Sequence, residues 1–188
     1  MDASHVADDL ETVLLSEDQI RTRVAELATE LAAAYAGRDL VLIGVLGAAA
    51  TFTVDLGRAL DLPIEVGWMA LRSYTTGMRS SGSVRLLKDL DLDIEGRDVL
   101  IVDTVIDTGL TLSWLISSLR QRRPASVAVC ALMRKPDAKQ FDGTATYVGF
   151  DVPEGLVVGY GLDYLGKYRN LRCAALLAPH VYRAVKAR

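Results

Sequence analysis

The sequence predicts an α/β fold with a central parallel sheet flanked by helices, and three observations carry that prediction. Short, almost wholly apolar runs recur at 39–46, 98–103, 126–133 and 145–150. Segments with helical spacing of their apolar residues lie between them. One of the runs passes straight into a turn of acid, threonine and glycine that opens a helix. Strands buried on both faces read as near-continuous apolar stretches, and their alternation with helices marks a parallel sheet with right-handed crossovers.

Composition agrees with a folded domain. The chain has 188 residues, 51% of them hydrophobic and 24% charged, enough to build a core as one domain over 1–188. The net charge of −3 disfavours a general nucleic-acid binder, which needs excess cations against phosphates. One local cationic site for a small phosphorylated ligand remains compatible with it. Cys130 and Cys173 are far apart in apolar surroundings, with no metal-ligand spacing, and read as buried thiols of a reducing compartment. His5 and His180 sit near the two ends, away from any ligand cluster. The acidic start lacks a signal-peptide pattern, and no apolar run reaches a membrane span. The expected setting is therefore cytoplasmic, with no membrane partner.

Element by element, residues 1–12 are expected to be loosely ordered. Ser16 with Gln19 reads as a capping box, opening a helix on Ile20, Val24, Leu27, Leu31 and Tyr35 that closes near Gly37. A buried strand follows at 39–46, a helix over 50–60, and a strand from Pro63 to Leu71. Residues 73–83 are small and polar and read as a long flexible loop. Residues 84–95 return as an edge strand. Asp98–Asp103 is the clearest buried strand, Thr111–Arg122 an amphipathic helix, and 126–133 and 145–150 are further strands.

The chemistry concentrates in Val99-Leu-Ile-Val-Asp103-Thr-Val-Ile-Asp107-Thr-Gly-Leu-Thr111. In open α/β sheets, ligands bind beyond the carboxyl ends of strands. Successive backbone N–H groups leading into a helix N-terminus make an anion site, and the hydroxyls of Thr108 and Thr111 add donors. Two carboxylates four residues apart beside such a cradle suit sugar hydroxyls or a metal. A Walker loop and a dinucleotide fingerprint are both absent.

Asp107-Thr-Gly109 after Leu-Ile-Val-Asp103 resembles the phosphoribosyl pyrophosphate (PRPP) motif of type I phosphoribosyltransferases. The resemblance runs from about Leu14 to Tyr182. Arg72-Ser-Tyr74 through Asp89 is similar to the flexible loop of the hypoxanthine-guanine branch. Tyr147-Val-Gly-Phe150, Val157-Val-Gly-Tyr-Gly-Leu-Asp-Tyr164 and Tyr168-Arg-Asn-Leu171 are similar to its C-terminal region. The resemblance implies a small C-terminal hood, built mainly from 150–188, over the sheet.

It also implies roles. Asp107 is the catalytic acid/base near N7 of the purine. Asp103 and Thr104, with Thr108, Gly109, Leu110 and Thr111, hold the ribose and 5′-phosphate. Leu46, Gly47, Ser73, Tyr74 and Arg169 face pyrophosphate. Lys135 donates to the purine O6; without the resemblance, it reads as a solvated charge after a strand. Leu156 and Val157 meet the base, and Asp163 the guanine amine. Asp163 and Asp103 are the candidate ligands of Mg2+, the implied cofactor. The implied reaction is purine salvage: PRPP with hypoxanthine or guanine gives IMP or GMP. A homodimer or homotetramer is implied as well.

Four positions depart from the family pattern. Gly47 replaces a usual lysine, Thr104 a usual acid, Leu156 a usual aromatic residue, and Leu110 a lysine found in some members. Loss of one charge-assisted hydrogen bond costs on the order of 1.5–3 kcal/mol. These departures motivate an alternative, a catalytically weakened paralogue that binds purine nucleotides as a regulatory or partner subunit.

Overall fold

A computed structural model of the chain describes residues 1–76, 79–136 and 146–183, apart from the side chains of residues 72–83 and 146. Its main sheet has six strands in the order β4-β3-β2-β5-β6-β7. These are β2 (Leu40–Leu46), β3 (Glu65–Thr76), β4 (Arg79–Lys88), β5 (Asp98–Ile106), β6 (Ser126–Arg134) and β7 (Thr146–Asp151). All neighbours pair in parallel except β4, which runs antiparallel to β3 at one edge. The sheet thus has the expected parallel centre, with one antiparallel strand returning at its edge.

Alternate residues of the central strands feed two cores. Leu40 and Leu42 of β2, and Leu100 and Val102 of β5, face one side. There they meet α1 (Glu17–Ala34) and α2 (Ala50–Ala59) through Ile20, Leu27, Leu31, Phe52 and Leu56. Val41, Ile43, Val99 and Ile101 face the other side, against Leu112, Leu115 and Leu119 of α3 (Leu110–Arg120). A period of two in the strands places helices on both faces. Helix α1 starts at the expected capping box: the Gln19 N–H donates to Ser16 Oγ at 3.2 Å, and the Ser16 N–H to Gln19 Oε1 at 2.8 Å. Both cysteines are buried and free.

Two expectations are corrected. The stretch 73–83, read as a loop, contributes to a β3–β4 hairpin in its described backbone, with Ser73 opposite Val84 and Thr76 opposite Arg79. Ladder bonds are made by the backbone, and Ser and Thr support them without any apolar alternation, so composition alone reads such a hairpin as a loop. The start of the chain, expected to be loose, forms a 3-10 helix over Ala3–Asp9 and strand β1 (Leu10–Leu15). β1 pairs antiparallel with β9 (Ala174–Leu177), which pairs with β8 (Val157–Val158). This three-stranded sheet is the hood, so the hood takes one strand from the N-terminal end. A short helix, α4 (Pro179–Arg183), follows it.

Leu100 is fully buried at the centre of β5. Leu100→Ala should cost about 2–5 kcal/mol of stability, read as a lowered midpoint in urea unfolding; an unchanged midpoint would contradict this account of the core.

Candidate active site

Strands β2, β5 and β6 lie side by side, so Leu46, Ile106 and Arg134, their last residues, share the carboxyl edge of the sheet. Just past that edge the Lys135 N–H donates to the Ile106 carbonyl at 2.9 Å. This backbone bond sets Lys135 beside Asp107, the residue after β5. Lys135 Nζ lies 3.2 Å from Asp107 Oδ2, and the lysine side chain is only 10% exposed against 62% for the aspartate. Lys135 is therefore a buried, paired cation and not the solvated charge that its local sequence suggests. A buried ammonium needs such a partner.

Beyond Asp107, Gly109 caps α3 with φ of 86°, a left-handed conformation that favours glycine. Thr108 Oγ1 lies 3.4 Å from the Leu110 amide, and the first amides of α3 point out of the helix. This is the turn where the sequence places an anion cradle, with Thr111 in the first turn of α3.

Within β5, Asp103 Oδ1 accepts from the Thr104 N–H at 2.7 Å. Asp103 keeps some exposed surface, but the protein packed around its carboxyl outweighs that opening. Burial pushes the carboxyl up to about 7, against the lowering effect of the Thr104 and Val105 amides. Thr104 is fully buried, and its hydroxyl has no hydrogen-bond partner among the described residues. Thr104, expected to help hold the ribose, is thus turned into the protein.

A second group forms around Arg169. The Leu46–Gly47 peptide is cis, and a Cβ at Gly47 would stand 3.9 Å from the Arg169 guanidinium carbon. Arg169 pairs with Asp163 at 2.7 Å and donates to the Gly161 carbonyl at 2.6 Å. Sequence reasoning gave Gly161 no role, yet its φ is +93° and a Cβ there would meet the Ala48 carbonyl oxygen at 2.2 Å. The Gly159-Tyr-Gly161 repeat was the available signal. Leu156 and Val157 lie in the hood, with the Leu156 carbonyl accepting from the Leu177 N–H at 2.8 Å. Ser73 lies on β3, while the side chains of Ser73 and Tyr74 fall outside the description. A groove of about 670 Å3 between α1, α2 and residues 169–172 reaches Arg169 but is not lined by Asp107 or Lys135. No group of three or more His, Cys, Asp or Glu that could hold a metal occurs among the described residues.

A sheet with an anion-ready turn after its middle strand and a hood over that edge is the architecture of the phosphoribosyltransferases. The phosphoribosyl transferase domain model matches residues 14–165, and the chain belongs to that family. It is 52% identical over 181 residues to a hypoxanthine-guanine phosphoribosyltransferase of Mycobacterium avium, covering 93% of this chain and 89% of that one. With the Bacillus subtilis hypoxanthine-guanine phosphoribosyltransferase, identity is 44% over 176 residues, 94% of this chain and 98% of the relative. Among solved structures, a hypoxanthine phosphoribosyltransferase of Staphylococcus aureus superposes with a TM-score of 0.89 at 39% identity, covering 95% and 97% of the two chains.

The raised Asp103 carboxyl has a consequence for stability. The folded chain holds this proton between pH 3.8 and about 7, where the unfolded chain releases it. Its contribution is full below the lower value and lost as pH rises through the upper. Asp103→Asn should therefore have a Tm nearer wild type at pH 4 and above it at pH 8. Equal Tm differences at both pH values would contradict the assignment.

Proposed function

We propose that this chain transfers the phosphoribosyl group of PRPP to N9 of hypoxanthine or guanine, releasing pyrophosphate and forming IMP or GMP. The Asp107–Lys135 pair carries the reading. A carboxylate and an ammonium 3.2 Å apart, at the carboxyl edge of the sheet, match the N7 proton and the O6 acceptor of a 6-oxopurine. Asp107 accepts or returns the N7 proton as the glycosidic bond forms. Lys135, which has only donors, favours an oxo group at position 6 and rejects the amino group of adenine. The relatives with hypoxanthine-guanine names support the same substrates.

In this reading the amides of Leu110 and Thr111, with the hydroxyls of Thr108 and Thr111, hold the 5′-phosphate. Asp103 takes the ribose hydroxyls alone, because Thr104 is buried. Arg169 and the Leu46–Gly47 turn take the pyrophosphate, with Arg169 leaving Asp163 to do so. Ser73 and Tyr74 close over the reacting centre. Leu156 packs on the base, and Val157 meets its edge through the backbone.

The cofactor in this reading is Mg2+. Asp103 and Asp163 each offer hard carboxylate oxygens, and a lone protein carboxylate suits an ion that takes most of its ligands from substrate phosphates and water. When bound, it offsets charge on the leaving pyrophosphate. The reading extends to a cytoplasmic homodimer or homotetramer whose 188 residues act as one domain; free, buried Cys130 and Cys173 suit a reducing compartment.

The test is nucleotide formation from PRPP, Mg2+ and each of hypoxanthine, guanine, xanthine and adenine, followed by absorbance. Turnover of hypoxanthine or guanine but not adenine is expected, with kcat reduced about 10²–10⁴-fold in folded Asp107→Asn. Near-full turnover in that variant would remove Asp107 from its role.

A further inference from the structure

The two halves of the pyrophosphate region come from distant parts of the chain. Gly47 sits in the turn between β2 and α2, and Arg169 in the segment before β9. They meet where Gly161 presses on the Ala48 carbonyl. Tyr160, next to Gly161, crosses the same seam: its hydroxyl donates to Asp55 Oδ2 at 2.6 Å. Asp55 lies on α2, the helix that leaves the Gly47 turn. We propose that Tyr160 and Asp55 are positioning residues for pyrophosphate recognition, locking the Arg169 segment onto the Gly47 turn. The inference rests on the phosphoribosyl-transfer reading above.

Four observations converge on it. Tyr160 is 7% exposed, so its ring is fixed by packing. Burial raises its hydroxyl far above the ordinary phenol range, with the Asp55 bond adding to the effect, so the group stays protonated and remains a donor. The bond to a half-buried carboxylate is short, at 2.6 Å, and joins two segments distant in the chain. Tyr160 holds φ at 48°, a left-handed conformation that a bulky residue adopts only where its surroundings enforce it.

The backbone then passes this anchorage to Arg169. The Tyr160 N–H donates to the Leu171 carbonyl at 2.9 Å and the Gly161 N–H to the Arg169 carbonyl at 3.0 Å. The Arg169 guanidinium closes the loop on the Gly161 carbonyl. Both ends of Arg169 are thus referenced to the residue beside Tyr160. Neither Tyr160 nor Asp55 is within the Asp107–Lys135 pair, so their effect falls on the pyrophosphate side of the reaction.

The experiment measures kcat, KM for PRPP, KM for hypoxanthine and Tm for wild type, Tyr160→Phe, Asp55→Ala and the double variant. Wild-type turnover tests the parent reading by itself. Calorimetric titration with PRPP and with hypoxanthine reads the inference even without turnover, so the two failures are distinguishable. Tyr160→Phe is expected to raise KM for PRPP about tenfold, with KM for hypoxanthine within about twofold of wild type. The double variant should be no worse than the poorer single variant, because both remove one bond. Equal rises in both KM values, a fall in Tm with KM for PRPP unchanged, or additive losses in the double variant would each overturn the proposal. If Tyr160→Phe fails to fold, Asp55→Ala reads the same KM split.

Discussion

The hydrogen bond from the Lys135 N–H to the Ile106 carbonyl carries the parallel ladder of β5 and β6 past the end of both strands. The Asp107–Lys135 pair depends on that continuation. The ladder is held by strands buried on both faces, with Leu100, Ile101, Val129 and Cys130 fully enclosed. A one-residue slip would exchange the two cores, so the register is enforced by the packing of α1 and α2 on one side and α3 on the other. Strand ends in fixed register place an exposed carboxylate and a buried ammonium 3.2 Å apart. The core thereby sets a distance that no local motif could set.

The remaining pieces are brought to that edge by contacts between backbones. Gly161 approaches Ala48 so closely that any side chain would be excluded, which lets the Arg169 segment meet the turn after β2. Arg169 is meanwhile balanced by Asp163. Two ion pairs, Asp107–Lys135 and Asp163–Arg169, thus each join a predicted acid to a predicted cation. Partial burial makes such pairs mutually dependent, since removing one partner strands the other charge. Thr104 shows the opposite adjustment: a buried, uncharged threonine places no second charge beside the Asp103 carboxyl, already pushed up to about 7.

Much of this was legible in the residues. The capping box at Ser16 and Gln19, the apolar runs of β2, β5 and β6, and the Thr-Gly turn into α3 all act locally, through side chains and their own backbone. The hood was not legible in the same way. β1 and β9 pair across more than 150 residues of chain, and Ala174-Ala-Leu-Leu177 carries neither alternation nor turn signals. Strand β4 was placed late because Arg79 is followed by serines and a glycine, residues 80–83. The burial of Lys135 was equally hidden, since Arg134-Lys-Pro-Asp has the composition of a solvated loop; only the register of two strands shows that the lysine turns inward. The Tyr160–Asp55 contact joins residues 105 apart in sequence and leaves no trace in either neighbourhood.

The central claim is that one purine edge is read by Asp107 and Lys135 together. A crystal structure of the protein with bound IMP tests it most directly. The account predicts the purine O6 within hydrogen-bond distance of Lys135 Nζ, N7 beside the Asp107 carboxylate, and the 5′-phosphate on the first amides of α3. A purine bound with O6 directed away from Lys135, or seated in the groove between α1 and α2, would contradict it.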